Sequence, residues 1–460
     1  MTFANVPFDK GYKSRLLSGR RGYKKQSTMR TIIITLLCAF SLTGMAQQYT
    51  LEECINIALQ NNRNIKQQEL NKAQRKIAYS QARNDLLPSI NASTGQNFIF
   101  GRSIGLDNTY QNTNSSQTSF GVGADITLFD GLRMKHNIDA KRADLSAAEA
   151  DLEKFKDDIE MSVATAFLQV LLQKELLQIA NEQIQLTDSN MNRRKALIKS
   201  GKMAQGEIYE LEAQRAREEQ NKVQVESNLK LALLDLAQIM ELEDFSNFDV
   251  SIPPIESIIN EGVLLSTSDV FQTALLIRPE IKAAEYRLQS SEKEVLIAKS
   301  QLYPSLFFGA NFGTGYYNMS GRYNDPFNKQ LRNNMSNSLG FSLRIPIFNK
   351  FQTKNNIRAA QLAVENNLIE IDKIKIDLRK RVETAYYNAV GAQSKWNATQ
   401  KAETYGREAF RFAQEKFDNG RANSFELTQA KSNLTQTLAD QAQAKYEYAF
   451  RLKILELLKN

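Results

Sequence analysis

The sequence predicts a mainly helical protein with some β-structure, built from two copies of one unit that runs helix, strand, strand and then a very long helical hairpin. An internal repeat, four amphipathic strands and two long heptad stretches predict this fold. The repeat is clearest where residues 82–90, ARNDLLPSI, return 216 positions later as residues 298–306, AKSQLYPSL. Downstream the offset becomes 219, and matches continue to Gly201 and Gly420. A register kept over this length indicates a tandem duplication.

An N-terminal leader is expected before the first unit. Met29 and a basic residue precede an apolar run, and the small residues 43–46 follow as a cleavage site. We therefore interpret residues 1–46 as leader and signal peptide, with Met29 as the true start and the mature chain beginning near Gln47. Cys38 in the apolar run lacks the small preceding residue of a lipoprotein signal, so we expect no lipid anchor.

The leader accounts for most of the net charge of +8. It holds eight of the 59 Lys and Arg residues and one of the 51 Asp and Glu residues, which leaves 51 basic against 50 acidic residues. A high pI would normally suggest nucleic acid, but this near-neutral mature chain predicts no such partner. Its one cysteine, Cys54, excludes an intramolecular disulfide and has apolar neighbours at helical spacing, which predicts a packing role.

Proline placement separates the elements of each unit. No proline lies between Pro88 and Pro253, and none follows Pro346. Pro88 and Pro304 each end a helix and begin a strand, because proline disrupts a helix interior but is tolerated as the first residue of a strand. The chain is therefore expected to contain a first repeat, a linker and a second repeat, at residues 47–250, 251–267 and 268–460.

Four segments alternate apolar and polar residues with period two. The clearest is 338–347, with 120–128 as its repeat counterpart, and segments 306–313 and 90–100 precede them in each unit. Such segments are amphipathic strands. Four strands cannot close a barrel or a soluble core alone. The mature chain also has no apolar run of about 18 residues, so any contact with a bilayer would have to be made by strands.

A very long helix follows each strand pair. From 131 to 200, apolar or small residues step by three and four, which is heptad packing. About 70 residues at about 1.5 Å each reach about 100 Å. Gly201 then turns the chain into a helix that runs to about Met240, and Gly420 separates the helix ending near Phe417 from the one running to Leu458. Glycine beyond a helix end is typical of a left-handed cap.

This arrangement resembles the TolC family of outer-membrane efflux factors. The resemblance covers nearly all of the mature chain and rests on the two AxxxLxPS[IL] junctions, the strand-to-helix passages 128–131 and 347–350, and the two hairpin glycines. It implies a homotrimer whose four strands per protomer form one twelve-stranded outer-membrane β-barrel, continued by a periplasmic α-barrel. Closure also follows from physics, since strands in lipid cannot leave an edge unpaired. Apolar strand faces would contact outer-membrane lipid, and polar faces would line the channel.

The resemblance implies a passive export conduit within a tripartite efflux or type I secretion system. Its partners would be a periplasmic adaptor (membrane fusion) protein and, through it, an inner-membrane pump. A periplasmic adaptor or a structural coiled-coil envelope protein is the alternative, and the duplicated amphipathic strands speak against both. His136, the only histidine, has no ligand partner nearby, and no nucleophile motif, phosphate loop or metal spacing occurs. We expect no enzyme activity, cofactor or metal; the transported substrate and the class of pump stay open.

Acidic residues near the hairpin turns are the first candidate site. Glu207 and Glu426 each stand six positions after a hairpin glycine. By resemblance they would line the constricted periplasmic aperture, where a trimer would gather six carboxylates. The alternative is that each simply favours the positive end of its helix dipole.

Further candidates flank the same turns and the strands. Aromatic and basic residues used by the family in links at the closed tip suggest Phe417, Arg421 and Lys202, although the family's basic position falls near Ala422. The adaptor-contact turns would include Gly201, Met203, Gly420 and Ala422. Asp125 and Arg344 occupy aligned positions on polar strand faces, where they would face the lumen, either paired around its wall or merely solvated.

Overall fold

The computed structural model describes residues 48–104, 108–112, 114–201, 203–244, 247–254 and 266–459. The expected leader, most of the expected linker and the candidate Lys202 lie outside the described residues.

The first repeat begins with a short strand and ends with another that pairs with it in parallel. Its elements are β1 (Gln48–Tyr49), α1 (Leu51–Asn61), α2 (Arg63–Asn84), β2 (Ser89–Ile99), β3 (Arg102–Ile104), β4 (Tyr110–Asn112), β5 (Ser115–Phe129), α3 (Arg133–Lys199), α4 (Gly206–Ile239) and β6 (Asp249–Val250). The second repeat has α5 (Thr267–Ile277), α6 (Pro279–Ser300), β7 (Ser305–Met319), α7 (Phe327–Asn333), β8 (Ser336–Arg344), α8 (Gln352–Asp418) and α9 (Ser424–Lys459).

The element boundaries confirm the duplication. Helices α5 and α6 begin 216 residues after α1 and α2, and α8 begins 219 residues after α3. Lengths also agree between partners: 11 residues in α1 and α5, 22 in α2 and α6, and 67 in α3 and α8. A helix of 67 residues is about 100 Å long, as predicted. Both hairpin glycines have the expected left-handed conformation, with φ of 71° at Gly201 and 69° at Gly420.

One antiparallel sheet contains the four predicted strands, in the order β2-β5-β7-β8. Cross-strand partners lie on the same face, so the register shows which residues share a face. One such row is apolar, with Ile90, Ala124, Ala310 and Leu339, and another is polar, with Ser93, Gly121, Gly313 and Ser336. The predicted two-faced sheet is confirmed.

The last predicted strand is shorter than expected. β8 ends at Arg344, not at Ile347. Pro346 has no N–H to donate to a neighbouring strand, so the ladder does not continue through it.

Helix α7 was not predicted from the sequence. β7 has 15 residues and β8 only nine, so within the described residues no strand lies beside the last part of β7 on its β8 side. Side-chain amides take the place of a strand there: Gln330 donates from Nε2 to the carbonyl of Tyr317 and accepts from its N–H, both at 2.9 Å. Asn324 makes the same two bonds with Met319. The short helix thus closes an otherwise open sheet edge.

The apolar core lies where the short helices pack against the long ones. In the first repeat, Cys54 and Ala58 of α1 pack with Phe167 and Leu171 of α3 and with Leu236 of α4. Burial raises the pKa of the Cys54 thiol to about 12, so it is an inert packing group, as predicted. No helix of the described segments is apolar enough, over a sufficient length, to cross a membrane.

Candidate functional site

The tips of the two hairpins meet because α3 packs against α9. The first turn contains Gly201 and Met203, and the second contains Gly420 and Ala422; both glycines are exposed, while Met203 and Ala422 are partly buried. In the second turn, the N–H of Arg421 donates to the carbonyl of Lys416 at 2.8 Å, which closes a Schellman-type cap. The Arg421 side chain itself points away from the core and is exposed.

A buried arginine connects the two tips. Arg194 of α3 is only 3% exposed in its side chain, and its Nη1 lies 3.1 Å from Oε2 of Glu207 and 3.0 Å from Oγ of Ser424. The Ser424 hydroxyl also donates to the Glu207 carboxylate. We call Arg194, Glu207 and Ser424 the tip cluster. The guanidinium covers the ring of Phe417 at 4.6 Å, a cation–π contact that helps offset the loss of water.

Electrostatics in the tip cluster are set first by burial. Desolvation lowers the pKa of Arg194, and the charge of Glu207 acts in the opposite direction. Arginine is the most basic side chain, so the guanidinium stays charged at neutral pH. The cluster is therefore a charged bridge across three helices, α3, α4 and α9.

A second cluster lies deeper between the same three helices. Lys431 of α9 is 4% exposed in its side chain and donates to Oε1 of Glu218 at 2.7 Å, to the carbonyl of Gln183 at 2.9 Å and to the Thr187 hydroxyl. Thr187 in turn donates to Oε2 of Glu218 at 2.6 Å. We call Lys431, Glu218 and Thr187 the lysine cluster. Burial lowers the pKa of Lys431, and Glu218 opposes that shift.

The two clusters contain the same three groups, a cation, a hydroxyl and a carboxylate, but the cation and the hydroxyl come from opposite helices. Thr187 and Arg194 are seven residues apart on α3, and Ser424 and Lys431 are seven apart on α9. Seven residues return to the same face of a packed helix, so each pair lies along one seam. In the tip cluster α3 supplies the cation and α9 the hydroxyl, whereas in the lysine cluster the roles are reversed. Helix α4 supplies the carboxylate both times.

The structure brings together only some of the predicted tip residues. Glu207 and Phe417 both contact Arg194. Glu426 is exposed, its N–H donates to Oδ1 of Asn423 at 2.9 Å, and its carboxylate has no ion pair within the described residues. Sequence reasoning missed Arg194, Ser424 and Lys431. The available signal was a basic residue at an apolar seam position, since Arg194 follows the buried Met191 by three.

Asp125 and Arg344 lie on the same face of the sheet but do not touch each other. Asp125 lies opposite Gly309, and its Oδ1 is 3.1 Å from where a side chain on that glycine would start. The guanidinium of Arg344 lies 6.0 Å from the ring centre of Phe307. Both residues line one open cleft of about 950 Å³, and no ion pair joins them in the described part of the chain.

Known proteins share this fold. A membrane protein from Pseudomonas aeruginosa superposes with a TM-score of 0.76 at 17% identity, covering 89% of this chain and 92% of that one. The open-state MtrE outer membrane channel of Neisseria gonorrhoeae gives a TM-score of 0.73 at 18% identity, with 89% and 88% covered. Toxin and drug export protein A of Aggregatibacter actinomycetemcomitans is 22% identical over 401 residues, which are 86% of this chain and 83% of that protein.

Sequence comparison identifies the family directly. Residues 54–240 and 270–458 both match the family described as Outer membrane efflux protein. The two matched ranges lie in the two repeats and together cover well over half of the chain. This match does not favour the periplasmic adaptor alternative. The chain belongs to the outer membrane efflux protein family, whose members are outer-membrane channels and not enzymes.

Proposed function

We propose that three copies of this chain form one closed, water-filled duct that carries cargo passively from the periplasm through the outer membrane. The sheet supports this proposal. It has one apolar face and two strands, β2 and β8, whose outer edges have no partner strand among the described residues. Unpaired strand edges in lipid are very costly, so the sheet needs further strands to close it. Three copies supply twelve strands, an even number as in other outer-membrane barrels.

The observation that carries the proposal is a difference in burial between equivalent helices. Leu362 of α8 is 64% exposed, while its repeat counterpart in α3, Ala143, is 8% exposed. Tyr387 is 68% exposed, and its counterpart Leu168 is 4% exposed. Among the described residues, helix α8 therefore lacks a packing partner that α3 has. That partner is the second repeat, through α6 and α9.

The repeat indicates what would cover α8. Since α6 and α9 pack on α3, their counterparts α2 and α4 of the next copy would pack on α8. Both helices have fewer buried residues than their counterparts. Helix α2 has two buried residues and α6 has eight, while α4 has six and α9 has twelve. Such a head-to-tail interface repeats until the ring closes. In the sheet, the same mapping sets Arg344 opposite Ser93 of the next copy.

The mature segments and partners complete the proposal. Cleavage near Gln47 would remove residues 1–46 and leave the repeats 47–250 and 268–460 joined by the linker 251–267. The apolar sheet face, with Leu339 and Phe341 well exposed, would contact outer-membrane lipid. The turns at Gly201 and Gly420 would meet a periplasmic adaptor, which links the duct to an inner-membrane pump. The relative named for toxin and drug export supports export of this kind.

Thiol labelling in intact outer membranes tests the barrel. In a Cys54→Ala background, Phe341→Cys should be shielded by lipid, whereas the adjacent Ser342→Cys should react with a water-soluble maleimide through the pore. A one-residue step along a strand reverses the face, so these neighbours form a matched pair. Gly123 is unsuitable as a polar-face site because a side chain there would start 2.8 Å from Oδ1 of Asn311. Equal labelling of both sites, or absence of heat-resistant trimers in detergent, would contradict the proposal.

A further inference from the structure

Charged side chains of both signs line the open cleft of about 950 Å³ on the polar face of the sheet. They are Asp85, Asp125 and Arg344. All four strands contribute to this cleft, in the order β2-β5-β7-β8, and the end of α2 forms one of its walls. Its volume is that of a site for a small organic molecule. The cleft therefore has the room and the charges to hold a ligand.

The charges are separated into an acidic side and a basic side. Asp125 on β5 pairs in the sheet with Ser89, the first residue of β2. Asp85 lies four residues before Ser89, at the end of α2. Arg344 lies at the other edge of the sheet, on β8, and β7 separates β8 from β5. A molecule in the cleft therefore meets carboxylates at one end and a guanidinium at the other.

The two signs are too far apart to neutralise each other. Asp125 pairs in the sheet with Gly309 and Arg344 pairs with Ser305, so the two charged residues are two strands and four residues apart. Strand geometry then places their Cα atoms about 16 Å from each other. Both side chains are exposed, and neither has an ion pair among the described residues. Each charge is therefore available to a ligand.

The floor between the two sides is partly apolar and leaves room above it. The ring of Phe307 on β7 lines the cleft, and its centre is 6.0 Å from the guanidinium of Arg344. Gly309 and Gly340 pair with each other and continue the floor without side chains. A side chain on Gly340 would meet nothing within 4 Å, so the cleft is open at this point. A bound molecule can therefore lie across the floor from Arg344 to the acidic side.

We propose that this cleft binds zwitterionic, peptide-like solutes during their passage through the duct. The ammonium group of the solute lies on the acidic side, its carboxylate accepts from the Arg344 guanidinium in the bidentate geometry that suits both groups, and an apolar side chain covers Phe307. An extended tripeptide is about 10 Å long, and the Arg344 and Asp125 side chains reach over the remaining distance. This inference rests on the proposed trimeric duct, which places the polar face in the lumen, and names a class of cargo for it.

The repeat sets the number of binding clefts in the ring. Asp125 and Arg344 are counterparts, 219 positions apart, so three carboxylates and three guanidiniums alternate around the proposed lumen. The counterpart of Phe307 is Asn91, which would lie between Arg344 and the Asp125 of the next copy. The apolar floor therefore occurs only between the two charges of one chain, and the ring contains three clefts.

Channel block by a defined peptide tests the proposal. The tripeptide alanyl-phenylalanyl-alanine, added to the compartment that faces the sheet, should interrupt the current through the full-length protein in planar bilayers. Its N-acetylated and C-amidated forms should each bind about twofold to about fivefold more weakly, which is the size of one exposed ion pair. Asp85→Asn with Asp125→Asn should remove the effect of N-acetylation. Arg344→Gln should remove the effect of C-amidation.

Two further variants separate binding in the cleft from a general effect of charge. Gly340→Val keeps all three charges but adds a side chain that projects into the open part of the cleft, so it should weaken block by the unmodified tripeptide. Arg332→Gln removes an exposed cation of α7 that does not line the cleft, and block should stay unchanged.

The outcomes separate this inference from the proposed duct. If the parent protein forms neither trimers nor conducting channels, the duct itself is wrong. If it conducts but is blocked equally by the free, acetylated and amidated tripeptides, or by none of them, the duct stands and the binding cleft is overturned. This comparison uses the parent protein alone, so it holds even where a variant fails to fold. A loss of block in Arg332→Gln as large as in Arg344→Gln would also overturn the cleft.

Discussion

Two buried cations in the helical seams are the most informative single residues of this chain. Arg194 and Lys431 occupy positions that heptad packing would normally fill with apolar side chains. Each is provided with a carboxylate from α4 and a hydroxyl from the remaining helix. A buried ion pair is a poor source of stability, because desolvation of both charges opposes their attraction. We interpret these clusters as devices that fix the register of the two hairpins.

Removing the counter-charge of Lys431 should therefore destabilise the protein more than removing an exposed acid. Glu218→Gln leaves the lysine charged and buried with only neutral hydrogen-bond acceptors around it, at a cost of about 3 kcal/mol. The adjacent Glu219→Gln breaks only an exposed pair with Arg215 and should cost less than about 1 kcal/mol. Thermal unfolding of the purified protein in detergent measures both. Equal midpoints for the two variants would contradict the interpretation.

The loss of folding stability caused by Glu218→Gln should also depend on pH. Burial lowers the pKa of Lys431, and without Glu218 nothing of similar strength raises it again. Below 10.5, the ordinary lysine value, the unfolded chain of this variant then binds more protons than the folded one. Stability relative to the parent protein should rise as the pH approaches 10.5. If the stability difference between the variant and the parent protein is constant from pH 7 to pH 10, the destabilisation comes from packing and not from the charge of Lys431.

At the scale of helices and strands, the sequence predicts the features that depend on local patterns and misses those that depend on contacts between distant residues. The long helices and both hairpin turns were predicted to within a few residues, because heptads and left-handed glycines are local signals. Helix α7 was missed because it exists to satisfy an edge of β7 through Gln330, a long-range contact with no periodic signature. The tip cluster was missed for the same reason. Spacing located Glu207, but only the packing of α3 against α9 brings Arg194 and Ser424 to it.

At the two strand-to-helix passages, equivalent residues differ in whether they can carry a side chain. Gly131 and its counterpart Lys350 both have positive φ, 69° and 56°. A side chain at Gly131 would start 2.6 Å from the Ser300 carbonyl oxygen, so Gly131→Ala combines left-handed strain with a clash and should cost about 3 kcal/mol. Lys350→Ala should stay within about 0.5 kcal/mol. The two variants are compared by their yield of heat-resistant oligomer and by their thermal unfolding midpoints. Similar losses in both would contradict the predicted clash at Gly131.

At the scale of the whole molecule, duplication explains why equivalent helices of one chain, such as α3 and α8, differ in how far they are covered. The two repeats keep nearly identical backbones, as the matching lengths of α3 and α8 show. Their side chains have diverged, and ion pairs such as Lys431 with Glu218 and Arg193 with Asp418 join the two repeats of the chain. The aperture acids illustrate the divergence. Glu207 is held by Arg194, whereas its counterpart Glu426 is exposed without an ion pair among the described residues.

This difference sharpens a test of the aperture. If both acids ring a narrow entrance, exchanging them together for glutamine should reduce cation preference in planar bilayers, since like charges gathered in an aperture create a strong local potential. Glu426→Gln alone should account for most of that reduction, because the charge of Glu207 is already partly neutralised. Glu207→Gln should mainly loosen the tip cluster and lower the unfolding midpoint.

The alternative role predicts a different pair of results. Both acids lie in the first turn of a helix, where each would contribute only about 0.3–1 kcal/mol through the helix dipole. In that case Glu426→Gln lowers stability slightly and leaves ion selectivity unchanged. Glu182→Gln, an exposed acid on α3 well before the turn, serves as the control for nonspecific charge loss. Measuring ion selectivity and thermal unfolding on the same proteins distinguishes the two roles. Unaltered selectivity in the double variant would mean that both glutamates act only through the helix dipole.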